Sequence, residues 1–233
     1  SPTQANAHPH MDCHNKVVVV HNGIVENYVD LKRTLEDAGH GFQSETDSEV
    51  IAHLIESLMS AGDSFDDATR ETARRLKGAQ AVAAMEVANP GHLVAFRLGN
   101  AGGITVGYGK GEMFLASDLP ALLPYTSDIA FLAPGEMATV KPEGVRYESI
   151  DGLVIEKEPH RAPYDALAVA KGGFRHFMLK EITEQPEVIR RTLSRRVSFD
   201  PAEVSLEGLS ISKAEMQDIN RVVITGMGTS LHA

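Results

Sequence analysis

The stretch "VVVVHNGIVEN", Val17 to Asn27, ends a β-branched run on an amide and a glycine, just where a helical pattern begins. Asn22 offers a side-chain N–H₂ and Gly23 an unobstructed backbone N–H, and two such donors can converge on one oxygen. Stabilising the oxyanion of a tetrahedral intermediate needs that arrangement, each donor being worth about 10²–10³ in rate. The same two residues are also ordinary turn formers that accept positive φ at low cost. Asp47 has two readings as well. In the first turn of a helix it complements the macrodipole, worth about 0.3–1 kcal/mol; in a site it would hold a substrate ammonium group. In "ITGMGTS", Ile224 to Ser230, the glycines let the backbone approach an anion, and Thr229 and Ser230 can donate to a phosphate or a sugar. Short glycine-rich turns of this type are common.

Other reactive side chains offer less. His8, His10 and His14 sit close together, but no Cys or carboxylate set with zinc spacing accompanies them, so no metal site is expected. His53 falls inside an apolar helix and reads as a core residue. Cys13 has no assignable basic partner and reads as a bland thiol. An N-terminal Ser1 could act as a nucleophile with its own amine as base, but Pro2 and the mid-loop look of "SPTQANAHPH" argue against it.

The elements that must position these residues are legible from periodicity. Lys16–Val20 reads as a buried strand. Glu26–Ala38 reads as a helix stopped by Gly39. Thr46 and Glu49 have the spacing of a capping box for a helix whose apolar face is Val50, Ile51, Leu54, Ile55 and Leu58. A third helix is expected over Phe65–Leu76, capped by Ser64. Strands follow at Gln80–Val87, Leu93–Leu98, Ile104–Tyr108, Met113–Ala116, Ile129–Leu132, Met137–Lys141, Val145–Ile150 and Leu153–Ile155, separated by Gly- and Pro-bearing turns. Helices followed by such a meander indicate an α+β domain with layered sheets. A linker is expected over 157–173. Beyond it "FRHFMLKEITEQPEVIRRTL" is helical, with Pro186 starting a new helix or kinking the old one, and Arg221–Thr225 reads as a short strand.

The chain has 233 residues, 42% hydrophobic and 23% charged, with formal net charge −10. It should bury a core. The acidic balance argues against nucleic acid or an anionic membrane as partner, and the apolar runs are too short to span a bilayer. A single cysteine, with no leader-like opening, suits a reducing cytoplasm. Both ends stop mid-motif, so the expectation is a section of a longer chain.

Taken in order, "ANAHPH", "VVVVHNGIVEN", "SETDSEVIAHLI", "LKGAQAVAAM", "FLASDLPALLPYT", "GGFRHFMLKEITEQP" and "ITGMGTS" resemble the glutamine–fructose-6-phosphate aminotransferase (isomerizing) family over essentially the whole chain. The resemblance implies a glutaminase domain of N-terminal-nucleophile type, an αββα layered sandwich, over 1–156. A linker over 157–173 and the start of an α/β sugar-isomerase domain over 174–233 would follow. It implies L-glutamine and fructose 6-phosphate as substrates, ammonia passed between them, no cofactor, and a homodimer formed through the isomerase domain. Asn22 and Gly23 inherit the oxyanion hole, Asp47 the α-amino group of glutamine, and Thr229 and Ser230 the sugar phosphate. Departures are equally plain. The family's catalytic-cysteine segment "CGI" and its carboxylate clamp "RWATHG" are not in these 233 residues, so the piece alone is expected to be inactive. Met227 stands where the family commonly has cysteine. Another amidotransferase's glutaminase domain, or a non-catalytic sugar-phosphate-binding regulator, are the rival readings.

Overall fold

In the computed structural model, which describes residues 3–162, 173–194, 196–205 and 212–225, the β-branched run becomes a strand with two faces. Val17 and Val19 are fully buried, whereas Val20 is 47% exposed, the period-2 alternation of a strand with different neighbours on its two sides. Chain order in the first unit is β1 (His10–Met11), β2 (Val17–Gly23), α1 (Tyr28–Asp37), α2 (Glu49–Ser60), α3 (Phe65–Arg75), β3 (Gln80–Glu86), β4 (Leu93–Leu98), β5 (Thr105–Tyr108) and β6 (Met113–Ala116). Strands β7 (Asp128–Phe131), β8 (Glu136–Lys141), β9 (Gly144–Ser149), β10 (Val154–Ile155) and β11 (His160–Arg161) complete it.

Seven strands form one antiparallel sheet in the order β1-β2-β3-β4-β8-β9-β10, and four form a second in the order β11-β7-β5-β6. One face of the larger sheet, through Val17, Val19, Val82, Val94 and Phe96, packs on Ile51, Ile55, Phe65 and Ala68 of the helices. Its other face, through Ala81, Ala95 and Ala138, packs on Val106, Ala130 and Leu132 of the second sheet. Alanines on that inner face let the two sheets close together. Each fully buried Ile or Phe contributes about 1.5–3 kcal/mol by leaving water.

The result is a mixed α+β layering of helices, sheet and sheet. A helical layer over the second sheet is expected from the resemblance; among the described residues of this unit that face is covered instead by a 3₁₀ turn at Leu119–Ala121, with Leu119, Leu122 and Leu123 packed on Ile129 and Phe114. Gly39 ends α1 at φ +97°, as its type predicts. Ser64 caps α3 by accepting from the Asp67 N–H.

Four expectations need correction. The Thr46–Glu49 capping box does not form: Ser48 precedes α2, and the Glu49 carboxylate turns back to accept from the Gln43 and Ser44 N–H groups. The region 157–173 begins inside the first unit rather than as a linker, because β11 pairs with β7 and Lys157 donates to the Phe131 carbonyl. Two compact units divide instead as Ser1–Ala170 and Lys171–Ala233. Helix α4 (Phe177–Leu193) continues through Pro186, so of the two alternatives the start of a new helix at Pro186 is the one that does not hold. Finally, Arg221–Thr225 forms no strand; Val222, Val223 and Ile224 are 68–88% exposed, since β-propensity makes no strand without a paired neighbour. The second unit also contains the hairpin β12 (Val197–Phe199) and β13 (Ala202–Val204) and α5 (Lys213–Asp218), whose Ser212 and Glu215 do form a capping box. No helix among the described residues is long and apolar enough to cross a membrane.

Candidate active site

The antiparallel register decides where the end of β2 points its groups. Val87 donates to Lys16 and Ile24 to Ala79, so the even-numbered residues of β2 exchange hydrogen bonds with β3. Neighbouring residues on a strand alternate in this respect. The N–H of Gly23, opposite Gln80, is therefore directed to the β1 side, and β1 pairs only with Val18 and Val19. Gly23 has φ +150°, and a Cβ there would overlap the Ala79 carbonyl oxygen. Glycine is required at this position by both conformation and space. Asn22 is exposed and faces the second sheet. Its Nδ2 lies where a Cβ on Gly102 would fall, so Gly102 makes room for this amide.

His21 points the opposite way, into the helical layer, and is 8% exposed. Gln80 Nε2 donates to the carbonyls of Ile24 and Lys77, which turns Gln80 Oε1 toward His21 Nε2 at 2.5 Å. That oxygen can only accept, so Nε2 carries the proton. Burial lowers the pKa of His21, against smaller raising effects from Gln80 and Asp47. The neutral ring then accepts at Nδ1 from the Ser48 hydroxyl, 2.9 Å away. This chain of bonds pins β2, β3 and the start of α2 to one another.

Asp47 precedes Ser48 and is half-buried. Its Oδ2 accepts from the Val25 N–H at 2.6 Å, two residues beyond Gly23. The carboxylate is thus fixed at the same end of β2 as Asn22 and Gly23. A cavity of about 420 Å³ opens between the sheets at the end of β2, with His8, Asn22 and Ser117 at polar points of its wall and Val20, Ala81 and Ala83 among its apolar ones. Such a volume suits a small metabolite.

Of the residues marked out by sequence, Asn22 and Gly23 end β2 and Asp47 is tied to Val25 just beyond them; the cavity wall includes Asn22 but neither Gly23 nor Asp47, and Thr229 and Ser230 lie outside the described residues. The supporting set of His21, Ser48, Gln80 and Gly102 was not legible, because nothing local in sequence marks contacts 27 to 80 positions apart. The histidines regroup too. His8 stacks edge-on to His10, while His14 turns to His40. Cys13 does have basic neighbours, with His40 Nδ1 at 3.7 Å and His14 Nδ1 at 3.8 Å from its sulfur.

Comparison with known proteins gives the family. Residues 2–124 match the family described as glutamine amidotransferase domain. The whole chain is 44% identical to glutamine–fructose-6-phosphate aminotransferase [isomerizing] of Methanothermobacter thermautotrophicus and 44% identical to that of Aquifex aeolicus, in each case spanning 37% of the relative's length. Among solved structures, glutamine phosphoribosylpyrophosphate (PRPP) amidotransferase from B. subtilis, complexed with ADP and GMP, matches with TM-score 0.54 and 27% identity, over 64% of this chain and 33% of that one. On the match over residues 2–124, this chain belongs to the glutamine amidotransferase domain family.

Proposed function

We propose that this chain carries the glutamine site of a glutamine-dependent fructose-6-phosphate aminotransferase. The observation that carries the reading is the bond from the Val25 N–H to Asp47, which fixes a carboxylate beside the two oxyanion-donor candidates at the end of β2. Asp47 holds the α-ammonium of glutamine by charge. Asn22 Nδ2 and the Gly23 N–H donate to the oxygen of the side-chain carbonyl as it becomes tetrahedral. A thiol supplied from outside these 233 residues, as in the resembling family, gives up its proton and attacks that carbon; on collapse the C–N bond breaks, the leaving nitrogen takes up that proton and departs as ammonia, and water hydrolyses the thioester that remains. His21 and Gln80 keep the backbone of β2 in register and take no proton from the substrate.

Ammonia then aminates fructose 6-phosphate in a second part of the protein that begins within 174–233, where Thr229 and Ser230 bind the sugar phosphate. Similarity over the whole of this chain, its C-terminal section included, to relatives named for that reaction favours this acceptor over a phosphoribosyl one. The full protein is proposed to be a cytoplasmic homodimer.

The test is Asn22→Ala in the full-length protein. Glutaminase kcat should fall about 10²–10³-fold, with KM for glutamine little changed, because the donor acts on charge that develops only in the intermediate. A kcat within about twofold of wild type would leave Asn22 a strand residue with no part in oxyanion stabilisation.

A further inference from the structure

Away from the cavity, three segments distant in sequence bring soft and borderline metal ligands to one place. Cys13 and His14 sit on the turn between β1 and β2, His40 on the connection from α1 to α2, and His53 and Glu56 on successive turns of α2. Cys13 Sγ, His40 and His53 offer ligand atoms all within 4.8 Å of one another. The sulfur lies 3.7 Å from His40 Nδ1, and His40 Nδ1 lies 3.2 Å from His53 Nδ1. A tetrahedral zinc ion with Zn–S of about 2.3 Å and Zn–N of about 2.05 Å separates S from N by about 3.6 Å and N from N by about 3.3 Å. The two spacings through His40 lie within about 0.2 Å of these values, and the third edge, Cys13 to His53, is within 4.8 Å.

Hydrogen bonding points the same way. Glu49 Oε1 accepts from the Gln43 N–H at 2.8 Å, and Oε2 from the Ser44 N–H and hydroxyl. This carboxylate is an acceptor facing His53 Nε2 at 3.4 Å, so His53 carries its proton on Nε2 and aims a bare Nδ1 at His40. A carboxylate orienting the far nitrogen of a ligating histidine is the usual outer shell of a zinc site. His40 Nδ1 meanwhile faces three groups, namely His53 Nδ1, Cys13 Sγ and, at 3.8 Å, Glu56 Oε2. One proton on that nitrogen could serve only one of them. A cation among them serves all.

We propose that Cys13, His40 and His53 bind a structural zinc ion. His14 is 56% exposed, with Nδ1 3.8 Å from the Cys13 sulfur but 3.2 Å from Glu56 Oε2, so the fourth position is left to solvent. Binding displaces the Cys13 thiol proton to solvent and ties the β1–β2 turn and the α1–α2 connection to α2. Because Asp47 ends that connection, the ion would stiffen the approach to the cavity without taking part in chemistry there.

The test uses the full-length protein, stripped with a chelator and titrated anaerobically with Co²⁺, then Zn²⁺. One equivalent of Co²⁺ should give intense tetrahedral visible bands and a near-ultraviolet thiolate-to-cobalt charge-transfer band, both lost on adding Zn²⁺. Cys13→Ser, at a partly exposed position, should abolish the charge-transfer band. His40→Gln should weaken Co²⁺ binding by about 10–100-fold or more. Zinc should raise the thermal midpoint of wild type and leave that of Cys13→Ser unmoved. Circular dichroism of each metal-free variant confirms its fold. Absence of a stoichiometric tetrahedral cobalt spectrum in wild type, or an unchanged spectrum and affinity in both variants, would overturn the proposal and leave a hydrogen-bonded histidine cluster.

Discussion

Gly23 meets a conformational and a spatial demand at once, and the two are separable from its proposed donor role. Gly23→Ala puts a Cβ against the Ala79 carbonyl at a positive φ, so it should destabilise the fold by about 1–3 kcal/mol, measured by urea unfolding. A midpoint unchanged from wild type would mean that this strand end relaxes freely. Asp47→Asn keeps the bond to Val25 but removes the charge. If that charge pairs with the substrate ammonium in ground and transition states alike, KM for glutamine should rise more than kcat falls. Equal losses in kcat and kcat/KM would give Asp47 a different role. His21 supplies a pH dependence. Burial lowers its pKa in the fold, whereas the unfolded ring titrates near 6.5. Between those values the unfolded chain binds more protons, so stability rises with pH. This contribution is complete above about pH 6.5 and is lost as pH falls through the folded value. Unfolding free energies across that window should show a shallower slope in His21→Gln than in wild type; equal slopes would mean that His21 is charged in the fold.

At the scale of elements, the two kinds of cap make a contrast that sequence alone could not draw. "S-F-D-D" at Ser64 and "T-D-S-E" at Thr46 both read as helix starts, yet only Ser64 satisfies a first-turn N–H. Ser64→Ala should cost about 1 kcal/mol in chemical denaturation; a loss below the error of the measurement would mean that water replaces the cap. Thr46 failed as a cap because Glu49 found stronger partners upstream, in the Gln43 and Ser44 amides, and Thr46 turned to Ser44 and His10. The strands from Gln80 to Ile155 were legible to within a residue because punctuation by glycine and proline is local, whereas β2 runs three residues past its expected end, through Asn22 and Gly23, and β1, β11, β12 and β13 were not expected. Strand order was not, since β4 pairs with β8 across three intervening strands, β5 to β7, which belong to the other sheet. Arg221–Thr225 was misread for a related reason: a Val-Val-Ile run states a preference, while a strand is a pairing.

For the whole molecule the central question is whether the glutamine site and the sugar site can be disabled separately. The chain falls into two units, the family match lies in the first, and similarity to the aminotransferases continues through both. If ammonia passes from one site to the other, a lesion in the first should be bypassed by ammonia added from solution. In the full-length protein, Asn22→Ala should therefore lose glutamine-driven glucosamine 6-phosphate formation by about 10²–10³-fold and retain the ammonia-driven rate. Ser230→Ala should behave in the opposite manner. If Ser230 is the phosphate donor proposed above, its removal weakens ground-state binding, so KM for fructose 6-phosphate should rise with either nitrogen source, while glutamine hydrolysis measured without sugar stays unchanged. The decisive measurement is product formation by both variants with each nitrogen source. Parallel loss of both rates in Asn22→Ala would show that the end of β2 supports the second site structurally, and the proposed division of labour would fail.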